Sequence, residues 1–233
     1  MRIAVIISGK IRTLGKCAAT LSRVIPKSAD KFVYLSGEAD LDDVAELNPR
    51  HIVVEPEQEI AERSAYTLQI GRGTHSVQGS LRQLHSLARA WKHFEDLGYT
   101  HDWVMRLRCD HLFLREIEPI EDWEHGIYIP EHENWYGLND QFAFGSRDIM
   151  EKYFRRLERL DEYIDSGGIF HSESFLRWVI DQADVPLRRT RVWTVIMRSD
   201  NTFSGPFWGS QFGDVGSGIP IDVASQLPRR DCW

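Results

Sequence analysis

Arg106, Arg108, Asp110 and His111 interrupt an otherwise apolar stretch, Trp103–Leu114 (WVMRLRCDHLFL). A buried strand has no use for two guanidiniums, a carboxylate and an imidazole unless a charge meets them there. The simplest such charge is an anion, which the forked donors of arginine match. A divalent cation on Asp110 would bridge that anion to the protein. In open α/β sheets ligands gather at the carboxyl ends of strands, which is where Asp110 is expected. The bland alternative is an internal ion pair between Asp110 and Arg106 or Arg108. Cys109 lies in the same cluster, where a lone cysteine is more often packing than nucleophile.

A second cluster is Trp135, Asn139, Asp140 and Gln141, within ENWYGLNDQ. Amides and a carboxylate fork onto pairs of hydroxyls, and an indole stacks on the apolar face of a ring, so this set suits a sugar. Its alternative is loop capping through Asx turns. A third is Ser8-Gly9-Lys10 with Arg12, read either as a nucleotide contact or as an ordinary βα turn with surface cations. Arg82, near the start of a helix, either reaches a phosphate or stays solvated. His171 is a metal ligand or a capping residue, and Glu173 is expected at a helix start on dipole grounds alone.

The elements that would position these groups follow from periodicity. Ile3–Ile7 is a continuous apolar run, as in a strand covered on both faces. Leu14–Val24 reads as a helix ended by Pro26, Lys31–Leu35 as a strand, Asp40–Leu47 as a short helix with an Asp cap, and His51–Val54 as a strand. This β-α-β-α-β alternation predicts a parallel sheet. Pro56–Gly79 reads as a surface connection, with a mobile loop over a ligand as the alternative. Ser80–Leu97 is the clearest helix, with Leu81, Leu84, Leu87, Ala88, Trp91 and Phe94 on one face and Gly98 ending it. Beyond Trp103–Leu114, strands are expected over Gly126–Pro130, Asp140–Ser146 and Leu187–Met197. Helices are expected from Arg147, capped by Ser146, to about Ile164, and from His171–Glu173 to Gln182.

Composition bounds the class. The chain has 233 residues, is 42% hydrophobic and carries a net charge of -7, enough for one sizeable core and without a basic stripe for nucleic acid. No stretch reaches the length of a membrane span. The start, MRIAVIISGK, reads as a first strand and not as a signal peptide. Cys17, Cys109 and Cys232 are few and scattered, so reduced thiols and a cytoplasmic location are expected. The division expected is one domain over 1–198, followed by a Gly/Ser/aromatic loop or tail over 199–233. No GxGxxG or P-loop pattern is present.

Four segments, IISGKIRT, SLRQLHSLARAW, WVMRLRCDHLF and GLNDQFAFGSRDIMEKY, resemble those of small bacterial and viral glycosyltransferases of the GT-A type. The resemblance spans roughly Ile3–Arg198 through short motifs. It implies an α/β fold: a single Rossmann-like GT-A domain with a mostly parallel central sheet flanked by helices. It implies transfer of a sugar from a nucleotide-diphosphate donor to a saccharide or glycolipid acceptor, often with Mn²⁺ or Mg²⁺ held by an Asp-x-Asp motif. Asp110 stands where the last Asp of that motif falls, and Arg108 replaces the first. On this resemblance Ser8, Gly9, Arg12, Arg82, Arg106, Arg108 and Asp110 bind the nucleotide sugar, and Asp110 and His171 the metal. Asp140 matches the acid near the acceptor that serves as base in inverting members, Glu173 matches a later acid assigned to catalysis, and Trp135, Asn139 and Gln141, by their residue types, are expected to hold the acceptor. The alternative is a non-catalytic nucleotide-sugar or carbohydrate-binding module of the same fold.

Overall fold

Alternating apolar runs and amphipathic stretches build a sheet with helices on its faces. The computed structural model describes residues 1–11, 13–38, 41–66, 76–113, 123–192, 194–198 and 203–204. In chain order the elements are β1 (Ile3–Lys10), α1 (Leu14–Val24), β2 (Asp30–Ser36), α2 (Asp42–Ala45), β3 (His51–Glu55), α3 (Val77–Asp96), β4 (Trp103–Arg108) and β5 (His111–Phe113). Then follow β6 (Ile127–Pro130), β7 (Ala143–Ser146), α4 (Arg147–Phe154), a 3-10 turn (Arg156–Arg159), α5 (Leu160–Asp165), α6 (Ser172–Gln182), β8 (Leu187–Thr190), β9 (Thr194–Met197) and β10 (Phe203–Ser204).

The main sheet has seven strands in the order β3-β2-β1-β4-β7-β6-β8, and β9 joins β5 and β10 in a second, three-stranded sheet. In the main sheet only β7 runs against its neighbours. The expected mostly parallel α/β sheet is therefore present, and its Rossmann-like order reverses between β1 and β4. Such a reversal opens a crevice at the carboxyl ends of the two strands. Register places Ser8 beside Arg108 at that point.

Side-chain alternation sorts the core. Val5, Ile7, Val33, Met105 and Leu107 pack with α1 and α2 through Leu14, Leu21 and Val44. Ala4, Ile6, Phe32 and Val104 pack beneath α3, α4 and α6 through Trp91, Phe94, Tyr153 and Leu176. Each large side chain so buried contributes about 2 kcal/mol. Arg106 follows the parity of Val104 and is buried under the helices.

Several boundaries differ from the sequence expectation. Trp103–Leu114 is two strands in two sheets, because the chain turns at Cys109-Asp110; Leu114 lies outside the described residues. Leu187–Met197 also splits between the sheets. The helix expected to run from Arg147 to Ile164 stops at Phe154, where the buried Arg156 folds back and donates to the Tyr153 carbonyl at 2.7 Å. That bond satisfies one of the carbonyls a helix end leaves open. Ser146 occupies the cap position of α4 without a side-chain cap bond. The strand expected over Asp140–Ser146 starts only at Ala143. Asp40, expected to cap a helix over Asp40–Leu47, lies outside the described residues, and α2 begins at Asp42. α3 starts three residues earlier than expected, with Ser76 accepting from the Gly79 amide at 2.9 Å. Gly98 takes φ +67 just past α3, as its role as a stop requires. Within the segment expected as a tail, Phe203–Ser204 pair with β9 as β10, and the rest of that segment lies outside the described residues.

Candidate active site

The carboxyl ends of β1 and β4 and the residues entering β7 meet in one charged cluster. Arg108 closes on Asp110 with two parallel bonds, Nε to Oδ1 and Nη2 to Oδ2, both 2.7 Å. Burial works to raise the Asp110 carboxyl, but the Arg108 guanidinium, with His111 and Arg106 behind it, holds it well below the usual carboxylate range. The bland reading of this stretch is therefore realised in part: both oxygens of Asp110 are engaged by its own neighbour. The pair is nevertheless about one-fifth exposed. Arg106 is not. It is 1% exposed and its Nη1 donates to the carbonyls of Asp140 and Gln141. The assignment of Arg106 to the nucleotide sugar is corrected on that ground: it fastens the segment entering β7 to β4.

Asp140 is also buried. Its Oδ2 accepts from Gln83 Nε2 of α3 at 2.7 Å and lies 3.7 Å from Arg156 Nη2, while its carbonyl accepts from Tyr153 Oη at 2.8 Å. Asn139 donates to the His132 carbonyl at 3.0 Å and accepts from the Gln141 amide at 2.8 Å. These are Asx-type loop bonds, so Asn139 builds the loop and does not face an acceptor. Gln141 donates to Glu133 Oε2 at 3.0 Å. Trp135 stands 61% exposed on the same loop.

Glu173 completes the cluster from the first turn of α6. Burial pushes its carboxyl up to about 8, and the charges of Asp140 and Glu133 add to the rise. Burial likewise raises Glu133, with Asp140 adding and the Gln141 bond opposing. His171 caps α6, its Nδ1 accepting from the Ser174 amide at 3.4 Å, and its Nε2 lies 3.4 Å from Glu173 Oε2. Gly137 fits α6 closely: a Cβ there would collide with the Glu173 carbonyl, to which the Leu138 amide donates at 3.0 Å. Glu133 and Tyr136, in the same loop, hold φ +52 and +57. Neither residue type favours that region, and each such position costs about 1 kcal/mol or more.

The other sequence candidates lie apart or are otherwise engaged. Ser8 is buried, and Gly9 uses φ +142 with Cys109 Sγ 3.9 Å from where a Cβ would sit. Arg82 donates to the Gln58 carbonyl and pairs at 3.2 Å with Glu57, which Lys10 also engages at 2.6 Å. Arg12 lies outside the described residues. The connection after β3 is tied down up to Tyr66: Arg63 pairs with Asp161 and Asp165, and Tyr66 Oη donates to Asp161 at 2.7 Å.

The chain belongs to the family described as a domain of unknown function, DUF7796. The family model matches residues 18–225, nearly the whole chain. A search of curated proteins finds no match.

The residues present do not fit the metal that the resemblance implies. Asp110 is closed by Arg108, His171 caps a helix, and no group of three His, Cys, Asp or Glu side chains among the described residues is arranged to hold an ion. Sequence reasoning missed Glu133, Gln83, Tyr136 and Arg156. Only Arg156 carried a signal, since it falls in step with Ile149, Tyr153 and Leu160 on the buried side of its segment. No helix of the described residues is long and apolar enough to cross a membrane.

Proposed function

We propose that this DUF7796 chain is a cytoplasmic glycosyltransferase of GT-A type that moves a sugar from a nucleotide-diphosphate donor to a saccharide acceptor. The observation that carries the proposal is the gathering of three acids, Glu133, Asp140 and Glu173, beside the Arg108–Asp110 pair, where the strand order reverses. Glu133 and Glu173 hold their protons above the ordinary carboxyl range, and such groups cluster at functional sites. Transfer breaks the bond from the donor C1 to its phosphate oxygen and forms one from C1 to an acceptor oxygen. The nucleotide diphosphate leaves with the bonding pair, and the acceptor hydroxyl surrenders a proton. Arg108, and the exposed Arg198 whose charge reaches Glu133, face the leaving group's charge. Glu173 takes the proton. Asp140, sealed beneath it, raises the affinity of Glu173 for that proton instead of meeting the acceptor itself. No step is routed through a metal.

Calorimetric titration with UDP- and GDP-sugars, with and without Mn²⁺, followed by assay of donor hydrolysis, tests this. Binding with slow release of free sugar is expected, and absence of binding to every donor overturns it. The closure of Asp110 by Arg108 favours a second reading, a nucleotide-sugar or carbohydrate-binding module without chemistry. Donor binding without hydrolysis or transfer would support that one.

A further inference from the structure

The loop Glu131–Asn139 spends backbone strain to aim two side chains in opposite directions. The left-handed Glu133 sends its carboxyl inward to Gln141. The left-handed Tyr136 leaves its ring 83% exposed, beside Trp135 at 61%. Ile169, 49% exposed, precedes the Phe170-His171 entry to α6, and the Tyr136 ring meets the His171 ring edge-on at 6.2 Å. Water does not favour large apolar side chains held out as each of these three is, and a bulky residue in the left-handed region needs a compensating reason. The loop is also anchored: the Ser174 hydroxyl donates to the Tyr136 carbonyl at 3.4 Å, and Gly137 is wedged against the Glu173 backbone. From the Tyr136 ring, contact runs through His171 to the Glu173 carboxyl.

We infer that Tyr136, with Trp135 and Ile169, forms a stacking platform for a pyranose ring of the acceptor and delivers one of its hydroxyls to Glu173. Aromatic faces flanked by carboxyl and imidazole groups are what a sugar ring asks for, an apolar face below and hydroxyls at the rim. The inference rests on the transferase proposal for its chemistry, but the platform can be tested without it.

The test compares wild type, Tyr136→Ala, Tyr136→Gly and Tyr136→Phe against methyl β-glucoside, maltose, cellobiose, lactose and chitobiose. Saccharide binding is read by tryptophan fluorescence and saturation-transfer NMR. Transfer and donor hydrolysis are read separately. At least one saccharide is expected to engage the loop. Tyr136→Ala is expected to raise its KM or Kd about tenfold while leaving donor hydrolysis unchanged, and Tyr136→Phe to behave as wild type. Tyr136→Gly, free of the backbone penalty, is expected to melt no lower than wild type while losing saccharide as the Ala variant does. A Gly variant that unfolds at lower temperature, or saccharide use untouched by Tyr136→Ala, overturns the platform. Donor hydrolysis with no saccharide engaging the loop also overturns it and spares the transferase proposal. Saccharide binding that depends on Tyr136, in a protein that binds no donor, sustains the platform and overturns the transferase proposal.

Discussion

Glu55 and Glu173 are carboxyls of similar exposure, 18% and 15% at the side chain, and their surroundings drive them in opposite directions. At the end of β3, Arg89 binds both oxygens of Glu55, and His93 Nε2 and Tyr34 Oη approach within 2.7 and 2.8 Å. The Arg89 bonds bring the Glu55 carboxyl down to about 2 against the pull of burial, with His93 and Tyr34 helping. At the start of α6, burial and two further acids lift Glu173 to about 8. A carboxylate matched by cations and donors stiffens a fold. One surrounded by its own kind costs stability and, once ionised, is a stronger base. The first cluster ties an edge strand to α3, and the second is where chemistry is expected.

The sharpest way to break the contrast is to neutralise each acid in turn. Glu173→Gln is expected to lower the transfer rate by about a thousandfold. The same variant should be more stable than wild type at pH 8, by on the order of 2 kcal/mol in chemical denaturation, because it no longer risks a buried charge. A loss of stability would move Glu173 into the structural class. Glu55→Gln is expected to do the reverse: it should cost about 2–3 kcal/mol, or roughly 5–10 °C in Tm, with donor hydrolysis retained.

The pH dependence separates the two acids by sign. The Glu55 contribution is complete above its ordinary value near 4.5 and is lost as pH falls towards 2. Glu173 acts differently. Between about 4.5 and 8 the unfolded chain has released this proton while the folded protein keeps it, so stability declines as pH rises across that window. Urea denaturation of wild type and the two Gln variants from pH 4 to 9 measures both slopes. Transfer should climb with pH and level off above 8. The smallest effect is expected from Glu133→Gln, which removes the lesser of the two acids raising Glu173. It should shift the rising limb of the pH–rate profile downward by less than about one unit.

Much of the scaffold could be read from residue order. The apolar run at Ile3–Ile7, the glycine stop at Gly98 and the helical spacing from Leu81 to Phe94 are local signals, and the folded chain obeys them. That Arg106, Arg108, Asp110 and Asp140 are charges set among apolar neighbours was also legible, and the folded chain buries or pairs them. Their roles were not. Whether Arg108 meets a ligand or Asp110 depends on a turn two residues long, and periodicity carries no information about where a strand leaves one sheet for another.

Local sequence thus determined which segments became strands and helices, because side-chain period and glycine conformation act over a few residues. Tertiary structure alone decided that Glu133 and Asp140, from the loop between β6 and β7, share one low-dielectric neighbourhood with Glu173 of α6. It also decided that Gln83 and Arg156 reach Asp140 from two further elements. Proton affinity is set by the charges and burial that folding brings around a group, and no stretch of chain taken singly contains them.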